Sequence, residues 1–114
     1  MGRDALQPEH SAEQSTERAI VCAACRHVLA RARDRIEVSG RHEHTCVNPA
    51  GIVFVIQCFA NALGCVPFGA RETYFSWFAD HAWRIALCGG CAAHVGWSFE
   101  GTSTFHGLIA DRIA

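Results

Sequence analysis

Four cysteines in two Cys-x-x-Cys units, Cys22/Cys25 and Cys88/Cys91, carry the strongest chemical signal in the chain. A tetrahedral Zn²⁺ takes four thiolates at about 2.3 Å, and a two-residue spacer lets one tight turn aim both sulfurs at the same ion. Gly89 and Gly90 suit such a turn, through positive φ and amide N–H groups offered to the anionic sulfurs. Four thiolates leave no position for water, so one structural zinc per chain is expected rather than a Lewis acid. The competing readings are a thioredoxin-like redox pair, which wants a βαβ context that is absent here, or disulfides. His27 and His94 lie near the pairs, but four cysteines already fill the shell.

The other reactive side chains are less organised. Cys58 falls in an apolar run and reads as a small buried hydrophobe, and Cys65 has no evident partner. Cys46, in Thr45-Cys46-Val47-Asn48, has a faint look of the nucleophile of zinc-containing methionine sulfoxide reductases. That family places its nucleophile after the second cysteine pair, so the order here is wrong. His42 and His44 fall on one face of an extended segment without an apparent third ligand. Ser76 has only His81 near it, and nothing evident orients that histidine.

All three tryptophans, Trp77, Trp83 and Trp97, lie between Phe75 and Phe99. A buried indole removes about 150–250 Å² from water and still wants a partner for its N–H. Three in one window form either the centre of a core or the wall of a pocket. A pocket of this kind would hold a flat ring or, by cation–π attraction, a quaternary ammonium or methyl-lysine, for which Asp80 or Glu100 would have to point inward.

The remaining sequence must position these groups. Its 114 residues bound one small domain, and an odd count of seven cysteines cannot all pair as disulfides within the chain. The net charge of −1, with ten arginines and no lysine, argues against a nucleic-acid surface and leaves no side-chain amine for a Schiff base. Arg31, Arg33 and Arg35 alternate as on a solvated strand face. No apolar run resembles a signal peptide or reaches the roughly 18 residues of a membrane span, so a cytoplasmic, reducing setting without a membrane partner is expected.

Residues 1–19 read as a disordered leader and 20–114 as the domain. Ile20-Val21 feeds the first cysteine pair, Arg26 to Arg33 is an edge strand or turn, and Arg35 to Val38 alternates as a short strand. Arg41 to Val47, a turn at Asn48-Pro49-Ala50-Gly51, and Ile52 to Phe59 make a hairpin whose second strand is apolar enough for burial on both faces. Asn61 to Gly69, with Gly64, Pro67 and Gly69, reads as loop. Trp83 to Leu87 and Val95 to Phe99 are strands, and Phe105 to Ile113 closes the sheet. The class is all-β.

Cys22-x-x-Cys25, His42-Glu-His44, Asn48-Pro49-Ala50-Gly51, Phe75-Ser-Trp77-Phe, Trp83, Cys88-x-x-Cys91, Gly96-Trp97-x-Phe99 and Phe105-x-Gly107-Leu108, in this order, resemble the thalidomide-binding (CULT) domain of cereblon. The match runs from about Ile20 to Ile113 and is most similar to single-domain bacterial versions. The resemblance implies a β-tent of two antiparallel sheets pinned at one end by a structural zinc. It implies a non-catalytic binding module in which Trp77, Trp83 and Trp97 cage a cyclic imide such as glutarimide, with Phe99 at the base and Asn48 and Pro49 on the rim. Phe75, Ser76 and Trp77 would meet the imide edge, through backbone groups at Phe75 and Trp77. Uracil-like rings or cyclic-imide ends of damaged proteins are related ligands. Ala79-Asp80 replaces a Pro-Gly turn common in the family, and Tyr74 stands where the eukaryotic receptor carries an acid. A chain of this length leaves no room for that receptor's ubiquitin-ligase docking domains, so no ligase role is expected.

Overall fold

The computed structural model describes residues 18–114, and residues 1–17 of the expected leader lie outside it. Among the described residues eight strands form: β1 (Ala19–Val21), β2 (Val28–Arg31), β3 (Glu43–Val47), β4 (Val53–Phe59), β5 (Cys65–Glu72), β6 (Ala82–Cys88), β7 (His94–Glu100) and β8 (Thr104–Ile109). Three-residue 3₁₀ turns occupy Ala32–Asp34 and Ala110–Arg112. β1 and β2 make a two-stranded sheet, and the others a six-stranded sheet in the order β3-β4-β8-β7-β6-β5, with every pairing antiparallel. The fold is all-β in two antiparallel sheets, as the sequence pattern implies. No helix among the described residues is long and apolar enough to cross a membrane.

Period-two alternation sends successive side chains to opposite faces of the large sheet. One face of β4, β7 and β8 buries Ile56, Cys58, Trp97, Phe99 and Phe105, with Phe78 packed over them. A second cluster, Ile20, Cys22, Leu29, Phe59, Val95 and Leu108, fills the space under the small sheet. The two sheets are stitched at the chain end: Ile113 bridges Cys22, and Val21 and Ala114 exchange both backbone hydrogen bonds at 3.0 and 2.9 Å.

Several elements differ from the sequence expectation. The stretch expected as loop, Asn61 to Gly69, contains the start of β5, because β5 is the outermost strand. Pro67 cannot donate to a ladder and is tolerated on an edge, and Gly69, at φ +83°, sits where the β5–β6 register shifts. Arg35 to Val38 forms no strand: it makes isolated bridges to Phe59 and Arg41, closed by a turn with Ser39 and Gly40 at positive φ. Arg31 ends β2 while Arg33 lies in the 3₁₀ turn, so the three arginines share no strand face. β8 stops at Ile109 and not Ile113, and β4 is buried only toward its end, with Ile52 and Val53 exposed.

Gly64 marks the tightest approach between elements. A Cβ there would lie 1.8 Å from the Val28 carbonyl oxygen, while Gly64 N–H donates to Leu29 and Gly64 O accepts from Gly89. The backbone of β2 leaves no room for a side chain. Gly64→Ala is expected to cost about 2–3 kcal/mol, at the upper end of overpacking penalties, measured by urea unfolding. A cost under about 0.5 kcal/mol would show that β2 can retreat freely.

Candidate functional site

Each cysteine pair sits in the same backbone device. Cys22 N–H donates to His27 O and Cys22 O accepts from Arg26, both at 2.8 Å; Cys88 N–H donates to Ala93 O and Cys88 O accepts from Ala92, again at 2.8 Å. Arg26 and Ala92, the residue after each second cysteine, take the positive φ, at 72° and 66°. Neither Gly89 nor Gly90 does, contrary to the sequence expectation. These glycines are required for space: a Cβ on Gly89 would lie 2.7 Å from Gly64 O, and one on Gly90 2.8 Å from His27 Cβ. Gly90 N–H does point at the Cys88 sulfur, at 3.2 Å.

The two devices face one another. Cys22 Sγ lies 3.8 Å from Cys91 Sγ and Cys25 Sγ 3.5 Å from Cys88 Sγ, and all four sulfurs fall within 4.8 Å. Tetrahedral bonds of about 2.3 Å require sulfur–sulfur edges of about 3.8 Å, so the set fits one metal ion. Cys22 and Cys88 are buried, Cys25 and Cys91 exposed. Burial opposes ionisation of Cys88, but the backbone N–H groups of Cys91 and Gly90 and the neighbouring thiols outweigh it and bring it down to about 7. At Cys25 the backbone N–H of His27 favours the thiolate, yet desolvation and sharing with Cys88, Cys91 and Cys22 push it up to about 12. A cation that binds Cys25 as a thiolate must therefore displace its proton.

β6 leads into the second device and β7 leads out of it, and this hairpin carries two tryptophans. Trp83 on β6 pairs with Phe99 on β7, and Ile85 with Trp97. Trp77 arrives from the loop after β5, standing edge-on to Trp97 at 4.8 Å between ring centroids. These rings and Phe99 enclose a cavity of about 300 Å³, with Asn48, Pro49, Tyr74 and Phe75 also on its lining. Trp77 Nε1–H donates to Val47 O at 3.0 Å and Trp83 Nε1–H to Tyr74 O at 2.8 Å, so both indoles are fixed by their polar ends. Phe99, 1% exposed, stacks on Phe105 at 5.2 Å.

Of the expected site residues, Asn48, Pro49, Phe75, Trp77, Trp83, Trp97 and Phe99 line this one cavity. Ser76 does not. Its hydroxyl donates to Phe78 O at 3.0 Å and receives Phe78 N–H at 3.4 Å, bracing the loop. The Asn48 side chain is likewise structural in part, its Oδ1 accepting from Ala50 and Ile52 N–H to hold the rim turn. Tyr74, which the resemblance puts at the pocket's mouth, also lines the cavity, and Ile85 was not expected there. The β6 alternation Trp83-x-Ile85 was the available signal for Ile85. Phe75 has φ 57°, an uncommon conformation for an aromatic residue. The backbone N–H and C=O groups of Phe75 and Trp77 form no hydrogen bond among the described residues, whereas Tyr74 O and Phe78 N–H and O are all engaged.

No family model matches the chain. It is 33% identical over 104 residues, 81% of its length, to protein cereblon of Drosophila persimilis, and 36% identical over 85 residues, 69% of its length, to protein cereblon of Drosophila melanogaster. This chain carries a cereblon-like domain. It spans only 16% and 14% of those relatives.

In the cereblon-like domain several of the remaining reactive groups are held by the fold, while the buried His42 Nε2, His81 Nε2 and His106 Nδ1 have no hydrogen-bond partner among the described residues. His42 and His44 bond to Ile36 O and Arg41 O and pack edge-on against Phe59 and Phe78. His94 bonds to Gly96 O and stands edge-on to Trp97 at 4.7 Å, turned toward the cavity wall. Burial pushes the Cys46 thiol up; Cys58 rises to about 11 through burial and the nearby Cys46, and Cys65 to about 12 through burial and then Cys88 and Cys22. Burial also lowers His94, against its bond to Gly96 and aided by Arg112, and lowers His106 against the pull of Glu100.

These environments lead to two expected outcomes. Metal analysis after purification under reducing conditions is expected to find one divalent ion per chain, and Cys91→Ser or chelation to lower the unfolding midpoint sharply; thiolate–metal binding in small peptides is worth about 10–16 kcal/mol. Full stability after complete metal removal would make the cluster dispensable. Separately, the fold holds His94 and His106 below the value of about 6.5 that they have once unfolded, so their contribution to stability is full above about 6.5 and declines as pH falls below it. In urea titrations between pH 7.5 and 5.5, His106→Gln should flatten that decline; an unchanged slope would remove His106 as a source.

Proposed function

We propose that this domain is a non-catalytic binding module whose cavity holds a neutral cyclic imide of the glutarimide type, and that its four cysteines hold one structural Zn²⁺. The observation that carries the reading is the cavity of three indoles over Phe99, bordered by the free backbone groups of Phe75 and Trp77. A glutarimide presents an apolar ring to aromatic walls and an acceptor-donor-acceptor edge that uncharged backbone groups can match. Uracil-like rings and cyclic-imide ends of polypeptides share that edge. The volume, about 300 Å³, is at the small end of ligand pockets. For zinc, the support is the all-thiolate donor set at tetrahedral spacing.

A cation cage is disfavoured by charge placement. Among the described residues no acidic side chain lines the cavity. Glu100 is held by Arg71 at 2.6 Å and Ser98 at 3.1 Å, in a separate cleft, and Asp80 lies off the wall. Catalysis is disfavoured by hydrogen bonding: Ser76 donates to a backbone carbonyl and His81 Nδ1 bonds to Ala79 O, so no nucleophile–base pair forms. The raised Cys46 thiol is a poor source of thiolate for a reductase. The reduced cysteines suit a cytoplasmic setting. No ubiquitin-ligase role is proposed.

The test is a tryptophan-fluorescence titration with glutarimide or thalidomide, beside tetramethylammonium. With about eight non-hydrogen atoms at about −0.7 kcal/mol each, the bare ring should saturate at tens of micromolar. Trp83→Ala should weaken it at least tenfold, as loss of a central aromatic anchor does. A response to the ammonium ion alone would replace the imide reading with a cation cage.

A further inference from the structure

The face of β6 and β7 behind the cavity carries Arg84, Ser98 and Glu100, which alternate with Trp83, Trp97 and Phe99. Arg84 and Ser98 are directly paired. At this level the edge strand leaves register: Phe68 pairs with Ile85 and Glu72 with Trp83, so Gly69, Ala70 and Arg71 all stand opposite the single residue Arg84. A bulge of this kind loses ladder hydrogen bonds and re-aims the strand beyond it. Tyr74 to Trp77 come next along the chain, as the loop that supplies one wall of the cavity.

Two side chains fasten the bulge from behind. Arg84 Nε–H donates to Gly69 O at 3.2 Å, and Arg71 reaches past β6 to place Nε 2.6 Å from Glu100 Oε1 on β7. The other carboxylate oxygen accepts from Ser98 Oγ at 3.1 Å, and Ser98 is only 8% exposed. The carboxylate is thus held at both ends, and it is 20% exposed although Arg71 is 63% exposed.

We propose that Arg71 and Glu100 are positioning residues for the cavity: their ion pair, on the opposite face of the sheet, pins the β5 bulge and thereby sets where Tyr74 and Phe75 stand against the tryptophans. The binding readout rests on the imide reading; the structural readout does not. An ion pair of this exposure changes an equilibrium by at most about 1 kcal/mol, a factor of about five.

The experiment is a double-mutant cycle, Arg71→Gln, Glu100→Gln and both together, read by glutarimide Kd and by amide hydrogen exchange across residues 73–81. Each single variant is expected to weaken binding about three- to fivefold and to speed exchange in that loop, the double variant adding nothing further, while urea midpoints move little. Unchanged exchange, or unchanged Kd in variants of a protein that binds, overturns the proposal. If the wild-type protein fails to bind glutarimide, the imide reading falls, and exchange alone decides: faster exchange confined to 73–81 upholds the clamp.

Discussion

Four sulfur atoms within reach of one ion impose the main constraint on this fold. Two come from the turn after β1 and two from the turn between β6 and β7, so drawing them together joins the small sheet to the middle of the large one. The apolar filling at that end is modest, with Ile20, Leu29, Phe59, Val95 and Leu108 as its largest buried members and Cys22 and Cys88 forming part of the same interior. A domain this small gains only limited stability from burial, and an ion shared by the four sulfurs would add to what this modest core supplies.

The cavity is built on the same hairpin. Cys88 ends β6 and His94 begins β7, and alternation along these two strands presents Trp83, Ile85, Trp97 and Phe99 on one face. The third indole comes from a loop with no regular structure, and its position is set by hydrogen bonds: Trp77 to Val47, Trp83 to Tyr74 and Ser76 to Phe78. One part of the wall is therefore as rigid as the sheet, and the other as firm as a few polar contacts. The strained φ of Phe75 lies in this second part.

Much of this was legible in the residues. Two Cys-x-x-Cys units announce a tetrahedral site because sulfur spacing is a local property, and seven of the eight residues that the resemblance implies line one cavity, Trp83, Trp97 and Phe99 by strand alternation and the others from turns and loops. The misreadings share a cause. Pro67 and Gly69 look like loop residues unless the strand is known to lie at an edge, and Gly89 and Gly90 look like positive-φ residues unless the neighbouring backbone at Gly64 is known to press on them. Ser76 and Asn48 illustrate the same limit, since a hydroxyl or amide offers a ligand and a turn the same atoms. Propensity is local; edge position and steric closeness depend on partners distant in sequence.

The shared hairpin also joins the four-cysteine cluster to the cavity. If the ion holds β6 against β7 at the cysteine end, it contributes to the spacing of Trp83 and Trp97 at the other. Coupling of that kind is reciprocal, because whatever factor an occupied sulfur cluster adds to the affinity for a ring, an occupied cavity adds to the affinity for the ion. With both sites occupied, the domain would respond to two concentrations at once, and a ring in the cavity would protect it from losing the metal.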